Sequence, residues 1–293
     1  MTCNDFSALC ARGVVLLDGA TGSQLRAKGM PVGVNSDYWA WEHPEVITAL
    51  KRAYVDAGSD IIYAPTFSSN RMALEMHGLE DKLELLNTDR VKLARQAADG
   101  RALVAGDFAT CGKPLEPIGT LTYQALFDVY KEQVEAVTAA GVDLLVAETM
   151  LSVDECACFV EAARSVCQLP VMVSLTMEAD GHLLFGGTAV EAVETLQTLG
   201  VDAVGLNCSV GPDQLESVVA SMKAVATVPV IAKPNAGLPV IDDKGQAHYN
   251  MTPDQFAAAM AKLVKAGATI IGGCCGTGPE YIAALRKGME ILP

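Results

Sequence analysis

Ala139-Ala140-Gly141-Val142-Asp143-Leu144-Leu145-Val146-Ala147-Glu148-Thr149 holds the unit from which the rest of the chain is read. An alanine-rich helical pattern stops at a glycine, whose missing Cβ permits the left-handed conformation that ends a helix. A Val-Asp step follows, then an apolar run without alternation that leads into a carboxylate. Such a run marks a short strand covered on both faces. The same order recurs at Leu199-Gly200-Val201-Asp202, running into Ala203–Cys208, and at Ala266-Gly267-Ala268-Thr269, running into Ile270–Cys275. In all three places the strand ends on residues able to do chemistry.

Working outward, strands are predicted at Val14–Asp18, Asp60–Pro65, Ala102–Asp107, Leu144–Glu148, Val171–Thr176, Ala203–Asn207, Val230–Lys233 and Thr269–Gly272. Helical spacing of apolar residues lies between them, as at Pro44–Ala57, Leu83–Ala98 and Tyr123–Ala140. Strand and helix alternate eight times with no linker or change of composition. The expected fold is α/β, a single (β/α)8 TIM barrel over residues 1–293, with an open doubly wound sheet as the alternative. A barrel requires its chemistry at the C-terminal ends of the strands. Asp18-Gly19, Thr66, Asp107, Glu148, Asn207-Cys208, Lys233-Pro234-Asn235 and Cys274-Cys275 all fall there. The stretches 21–43 and 236–252 read as long irregular loops on that face.

Composition narrows the function. Hydrophobic residues make up 51% of the 293, enough for a sizeable core. The formal net charge of -14 argues against nucleic acid and anionic membrane as partners. No apolar run approaches the roughly 18 residues of a spanning helix. The first residues lack a basic start followed by an apolar stretch, so no secretory signal is read and a cytoplasmic location is expected. In that setting 9 cysteines do not suggest a disulfide framework.

Cys208 ends the sixth strand, and Cys274 and Cys275 end the eighth. Even-numbered strands contribute to one layer of a barrel, so these thiols can meet across its mouth. Three thiolates suit Zn²⁺, and three protein ligands leave a fourth position open, the mark of a catalytic site. A thiol entering that position would be deprotonated, and a centre already carrying three cysteinates leaves its sulfur electron-rich. That favours attack on a methyl carbon over activation of water. Three unconnected buried thiols are the plain alternative.

Asp-Gly-Ala-Thr-Gly (18–22), Pro-Thr-Phe (65–67), Glu-Thr (148–149), Gly-Leu-Asn-Cys (205–208), Pro-Asn-Ala-Gly-Leu-Pro (234–239) and Gly-Gly-Cys-Cys-Gly-Thr (272–277) occur in this order. Together they resemble the homocysteine S-methyltransferase domain family, over roughly the whole chain. The resemblance implies a (β/α)8 barrel with one zinc on Cys208, Cys274 and Cys275. It also implies that homocysteine's amino acid end is bound near Asp18, Gly19, Thr66 and Glu148. Glu148 would face the ammonium, Gly19 and Thr66 the carboxylate, and Asp18 either the ammonium or its polar neighbours. Asn207 and Asn235 would hold substrate, fix a loop, or fill the fourth zinc position. The run at 234–239 is most similar to the homocysteine-binding module of cobalamin-dependent methionine synthase. Its folate, corrinoid and activation modules have no counterpart in these 293 residues. The expected methyl donor is therefore methylcobalamin on a separate corrinoid protein, with S-methylmethionine or a betaine as alternatives.

Other classes stay open at this point: a Schiff-base aldolase through Lys233, a phosphate site in the glycine-rich eighth loop, or a non-catalytic zinc-binding subunit. His43, His77, His182 and His248 form no metal-binding pair and read as surface or loop residues, and Trp39 and Trp41 read as packing.

Overall fold

The structure, a computed structural model, describes residues 1–242 and 247–289. Residues 243–246 of the long stretch after the seventh strand, and the last four of the expected 1–293 domain, lie outside the described residues. The barrel strands are β1 (Val15–Leu16), β2 (Ile61–Tyr63), β3 (Leu103–Phe108), β4 (Leu144–Met150), β5 (Val171–Leu175), β6 (Ala203–Cys208) and β7 (Val230–Pro234). A short antiparallel ribbon, β8 (Pro239–Ile241) with β9 (Ala247–Tyr249), comes before the eighth barrel strand, β10 (Ala268–Ile271). Helix α1 (Cys3–Cys10) precedes β1, and α2 (Gly22–Ala27), α3 (Ser36–Glu42) and α4 (Pro44–Asp56) lie between β1 and β2. Next come α5 (Arg71–Glu75), α6 (Leu83–Ala98), α7 (Tyr123–Ala139), α8 (Val153–Val166), α9 (Ala189–Thr198), α10 (Glu216–Val225), α11 (Pro253–Ala266) and α12 (Pro279–Met289).

The barrel strands are all parallel, in the order β1-β10-β7-β6-β5-β4-β3-β2, and a parallel bridge between Leu17 and Ile61 closes the circle. Alternation along the strands sorts two cores. Val15, Leu17, Ile61, Ala105, Leu144, Val146, Met172, Ala203, Ile231 and Ile270 fill the interior, with Phe6 of α1 in the same cluster. Their neighbours, such as Leu16, Ile62, Val104, Leu145, Val173, Val204 and Ile271, pack outward with the helices.

The repeated Gly-x-Asp step proves to be a joint. Gly58, Gly141 and Gly200 have φ of +102°, +92° and +78°, and each ends a helix. The aspartate two residues on then binds the main chain at the start of the preceding strand. Asp60 Oδ2 accepts from Leu16 N at 2.7 Å, Asp143 Oδ2 from Val104 N at 2.8 Å and Asp202 Oδ2 from Val171 N at 2.8 Å. Arg286, Arg95 and Arg164 pair with these same carboxylates. One short motif thus stops a helix and fixes strand to strand.

Two expectations need correcting. The stretch 21–43 is not irregular, since it folds into α2 and α3. Helices this short carry too little periodicity to register, and α3 is set by its cap: Asn35 Oδ1 accepts from Asp37 N and Tyr38 N. The stretch 236–252 holds the β8–β9 ribbon, whose exposed faces leave no apolar alternation to detect. Among the described residues, no helix is long and apolar enough to cross a membrane.

Candidate active site

Cys208, Cys274 and Cys275 come together at the C-terminal end of the barrel, their sulfurs within 4.8 Å of one another, and Cys208 Sγ lies 4.0 Å from Cys275 Sγ. Sulfurs bound tetrahedrally to zinc at about 2.3 Å stand roughly 3.8 Å apart, so the donor set and its spacing fit that ion. Crowding couples the three thiols. Donation from Cys208 and Cys274 pulls the Cys275 thiol down to about 3. Cys208, hydrogen-bonded to both neighbours and buried, is pushed far up.

The backbone here is bent in an unusual way. Thr149, Cys208 and Ser209 have φ of +58°, +63° and +57°, a region that non-glycine residues, and β-branched ones above all, seldom occupy. Asn207 holds the bend. Its Oδ1 accepts from Thr149 N at 2.7 Å and Ser174 Oγ at 2.9 Å, while Nδ2 donates to Thr149 Oγ1 at 2.7 Å and reaches Cys274 Sγ at 3.9 Å. Asn207 thus joins β4, β5 and β6 to a cluster sulfur and does not line the adjoining cavity. Asn235 is likewise a brace, with Nδ2 donating to Ser209 O at 3.1 Å beside Cys208. In the eighth loop, Gly272, Gly273, Cys274, Gly276 and Thr277 donate their N–H groups to Ala232 O, Asp18 O, Pro234 O, Ser23 Oγ and Cys274 O. Five amides of this loop are therefore already committed to the fold, which counts against a phosphate cradle there.

A cavity of about 420 Å³ opens beside the sulfurs. Asp18, Gly19, Glu148, Cys208, Cys274 and Cys275 all line it, as does His77, exposed in the turn after α5 as a surface or loop residue was expected to be. Gly19 sits where a side chain has no room: a Cβ would lie 2.7 Å from Tyr54 Cε1. Thr66 lies behind the wall. Its hydroxyl donates to Asp107 O at 2.8 Å and accepts from Asp107 N at 3.0 Å, so it supports the third strand.

One layer above the apolar interior, the same inward-facing positions turn polar: Tyr63, Asp107, Glu148 and Lys233, each less than a tenth exposed, form the cavity floor. Lys233 Nζ lies 3.2 Å from Glu148 Oε2 and 4.9 Å from the centre of the Tyr63 ring. Burial alone would lower the Lys233 amine, but the Glu148 carboxylate carries it well above its ordinary value. A Schiff-base nucleophile needs a neutral amine, so the ion pair with Glu148 counts against the aldolase reading. Burial raises Glu148 to about 7, with Lys233 opposing. Asp18 Oδ2 takes Lys51 Nζ at 2.7 Å and Tyr63 N at 3.1 Å. Sequence reasoning placed Asp107 at a strand end without a substrate role, read Lys233 only as the nucleophile of the aldolase alternative, named Thr149 only within the Glu-Thr motif, and missed Tyr63 and Lys51. The signal available was strand parity, which puts positions 63, 107, 148 and 233 inside.

Trp39 stacks on His43 with ring centres 3.9 Å apart, and Trp41 Nε1 donates to Asp89, so both tryptophans pack as expected.

Residues 15–289 match the family model described as homocysteine S-methyltransferase. Methionine synthases from Mycobacterium leprae and Mycobacterium tuberculosis are 31% and 30% identical over 95% of this chain. The chain spans only about a quarter of their length, 24% and 25%. Crystal structures of the homocysteine methyltransferase MmuM from Escherichia coli share the fold. The metallated form has a TM-score of 0.79 at 24% identity, covering 96% of this chain and 98% of that one. The apo form has a TM-score of 0.73 at 26% identity, covering 94% and 96%.

Proposed function

Because the chain belongs to the homocysteine S-methyltransferase family, we propose that it methylates homocysteine to methionine in a zinc-dependent reaction. One observation carries this reading: three sulfurs from two distant strands meet at the wall of a cavity whose floor bears buried carboxylates. Cys208, Cys274 and Cys275 would hold Zn²⁺, and they are the residues proposed as catalytic. Zinc bound there supplies a thiol acceptor with a deprotonated, electron-rich sulfur at neutral pH.

The rest is done by the chain's own residues. Asn207 keeps the Cys274 sulfur and the Cys208 backbone in place, and Asn235 holds Ser209 beside them. Asp18 and Glu148 face the substrate ammonium. The Gly19 backbone serves the carboxylate, and Thr66 acts through the main chain of Asp107, which it fixes. Met30 and Phe67 on the cavity wall receive the substrate methylenes and keep water from the sulfur.

The donor we propose is methylcobalamin carried by a separate corrinoid protein. Support comes from the rim: Val32, Met76, Ile118, Leu184, Phe185, Val240 and Ile241 sit on loops that follow barrel strands, and all are half-exposed or more. Large exposed apolar side chains gathered around a site mark a docking surface.

The test is methionine formation by zinc-loaded protein from homocysteine with methylcobalamin, S-methylmethionine or betaine. Methionine formed from methylcobalamin, lost on chelation and restored by zinc, is the expected result. Turnover with S-methylmethionine alone would replace the donor. Zinc bound without turnover from any donor would leave a non-catalytic zinc-binding subunit.

A further inference from the structure

We propose that Asp107 binds the acceptor's α-ammonium, so that the cavity selects for a primary amine as well as for a thiol. The proposal rests on the reading of the chain as a homocysteine methyltransferase and adds a residue to its substrate site.

Asp107 reaches the floor by strand parity. Ala105 belongs to the barrel interior, Val104 and Phe108 pack outward, and position 107 therefore faces in. It is 6% exposed and lines the cavity. Its Oδ1 has no hydrogen-bond partner among the described residues, and the same is true of Tyr63 OH and Asp18 Oδ1 around the same space. Buried polar atoms are nearly always paired, so several unpaired ones converging on one cavity point to a ligand that pairs them.

The charges indicate which ligand. Three buried carboxylates, Asp18, Asp107 and Glu148, stand against two buried ammonium groups, Lys51 and Lys233. One negative charge is left over, and burial penalises it unless a proton or a cation balances it. Burial and the neighbouring Glu148 push Asp107 well above the usual carboxylate range, so the floor holds a proton readily and a ligand ammonium can replace it. Lys51 and Lys233 already have carboxylate partners, which leaves Asp107 the acid without a cation of its own.

Calorimetry on the zinc-loaded chain tests this, using L-homocysteine and 4-sulfanylbutanoate, which has the same thiol and carboxylate but no amine. Wild type should prefer homocysteine. Asp107→Asn keeps the shape and removes the charge. It should weaken homocysteine about 10- to 100-fold, the loss of one charge-assisted hydrogen bond, and change 4-sulfanylbutanoate less than about 2-fold. Unchanged homocysteine affinity in Asp107→Asn, or an equal loss for both ligands, overturns the proposal. If that variant does not fold, equal affinity of wild type for the two ligands overturns it and amine preference lost in Asp107→Ser supports it. Methionine formation fails independently: amine selection through Asp107 without methyl transfer would retire the functional reading and keep this one.

Discussion

Cys208 is held in a left-handed conformation that an L-residue adopts only when its surroundings insist. What insists is Asn207, with its four contacts to Thr149, Ser174 and Cys274. The cysteines were legible in the sequence, because thiols at strand ends with glycines around them are an unusual choice. The role of Asn207 was not, since it depends on Thr149, some 58 positions away. Cys208→Ser, Cys274→Ser and Cys275→Ser should each abolish stoichiometric zinc binding and bring methyl transfer to background, as read by metal analysis and methionine formation. Asn207→Ala leaves the ligands in place and removes their support. It should weaken zinc about 10- to 100-fold, measured by competition with a chelator. It should also cost roughly 1–3 kcal/mol in denaturant unfolding, because Thr149 N and Ser174 Oγ lose a buried acceptor.

At the level of elements, most of the barrel could be read because its strands are continuous apolar runs, several of them introduced by a glycine that ends the helix before. Where reading failed, as at α2 and α3, the structure comes from caps and long-range ties. Asp37 of α3 takes Ser68 N at 2.5 Å and Ser69 Oγ at 2.9 Å, binding the loop after β1 to the loop after β2. Burial pushes its carboxyl up to about 6, with Ser69 and Ser68 as donors opposing. An unfolded aspartate titrates near 3.9, so between about pH 4 and 6 the folded protein binds more protons, and this group's contribution to stability falls as pH rises. Wild type should therefore gain roughly 1–2 kcal/mol relative to Asp37→Asn between pH 6.5 and 4.5. Parallel unfolding curves for the two proteins at both pH values would contradict it. The Gly-x-Asp joints make a separate prediction. Asp143→Ala unpairs Val104 N and frees Arg95, and should cost about 1–2 kcal/mol while leaving the KM for homocysteine unchanged, because the joint lies at the opposite end of the strand from Glu148.

Considered as a whole, the molecule separates its two tasks along the barrel axis. The N-terminal end is closed by α1 and the aspartate joints, and the C-terminal end carries the sulfurs, the charged floor and an apolar rim. The rim could not be read from the sequence, because its residues are scattered over five loops and only the closed barrel brings them to one face. A carrier protein bringing a methyl group must approach over that rim, whereas a small donor need only enter the cavity. The consequence is a kinetic division. Phe185→Asp combined with Val240→Asp places two charges on the rim, at residues 50% and 60% exposed, where folding stability should change by less than about 0.5 kcal/mol. With protein-borne methylcobalamin the double variant should lose about 10-fold or more in kcat/KM for the carrier. With free methylcobalamin it should keep wild-type rates within about 2-fold, since two mismatched contacts at an interface core are worth roughly 1–3 kcal/mol. Equal loss with both donors would show that the rim shapes the cavity and does not receive a partner.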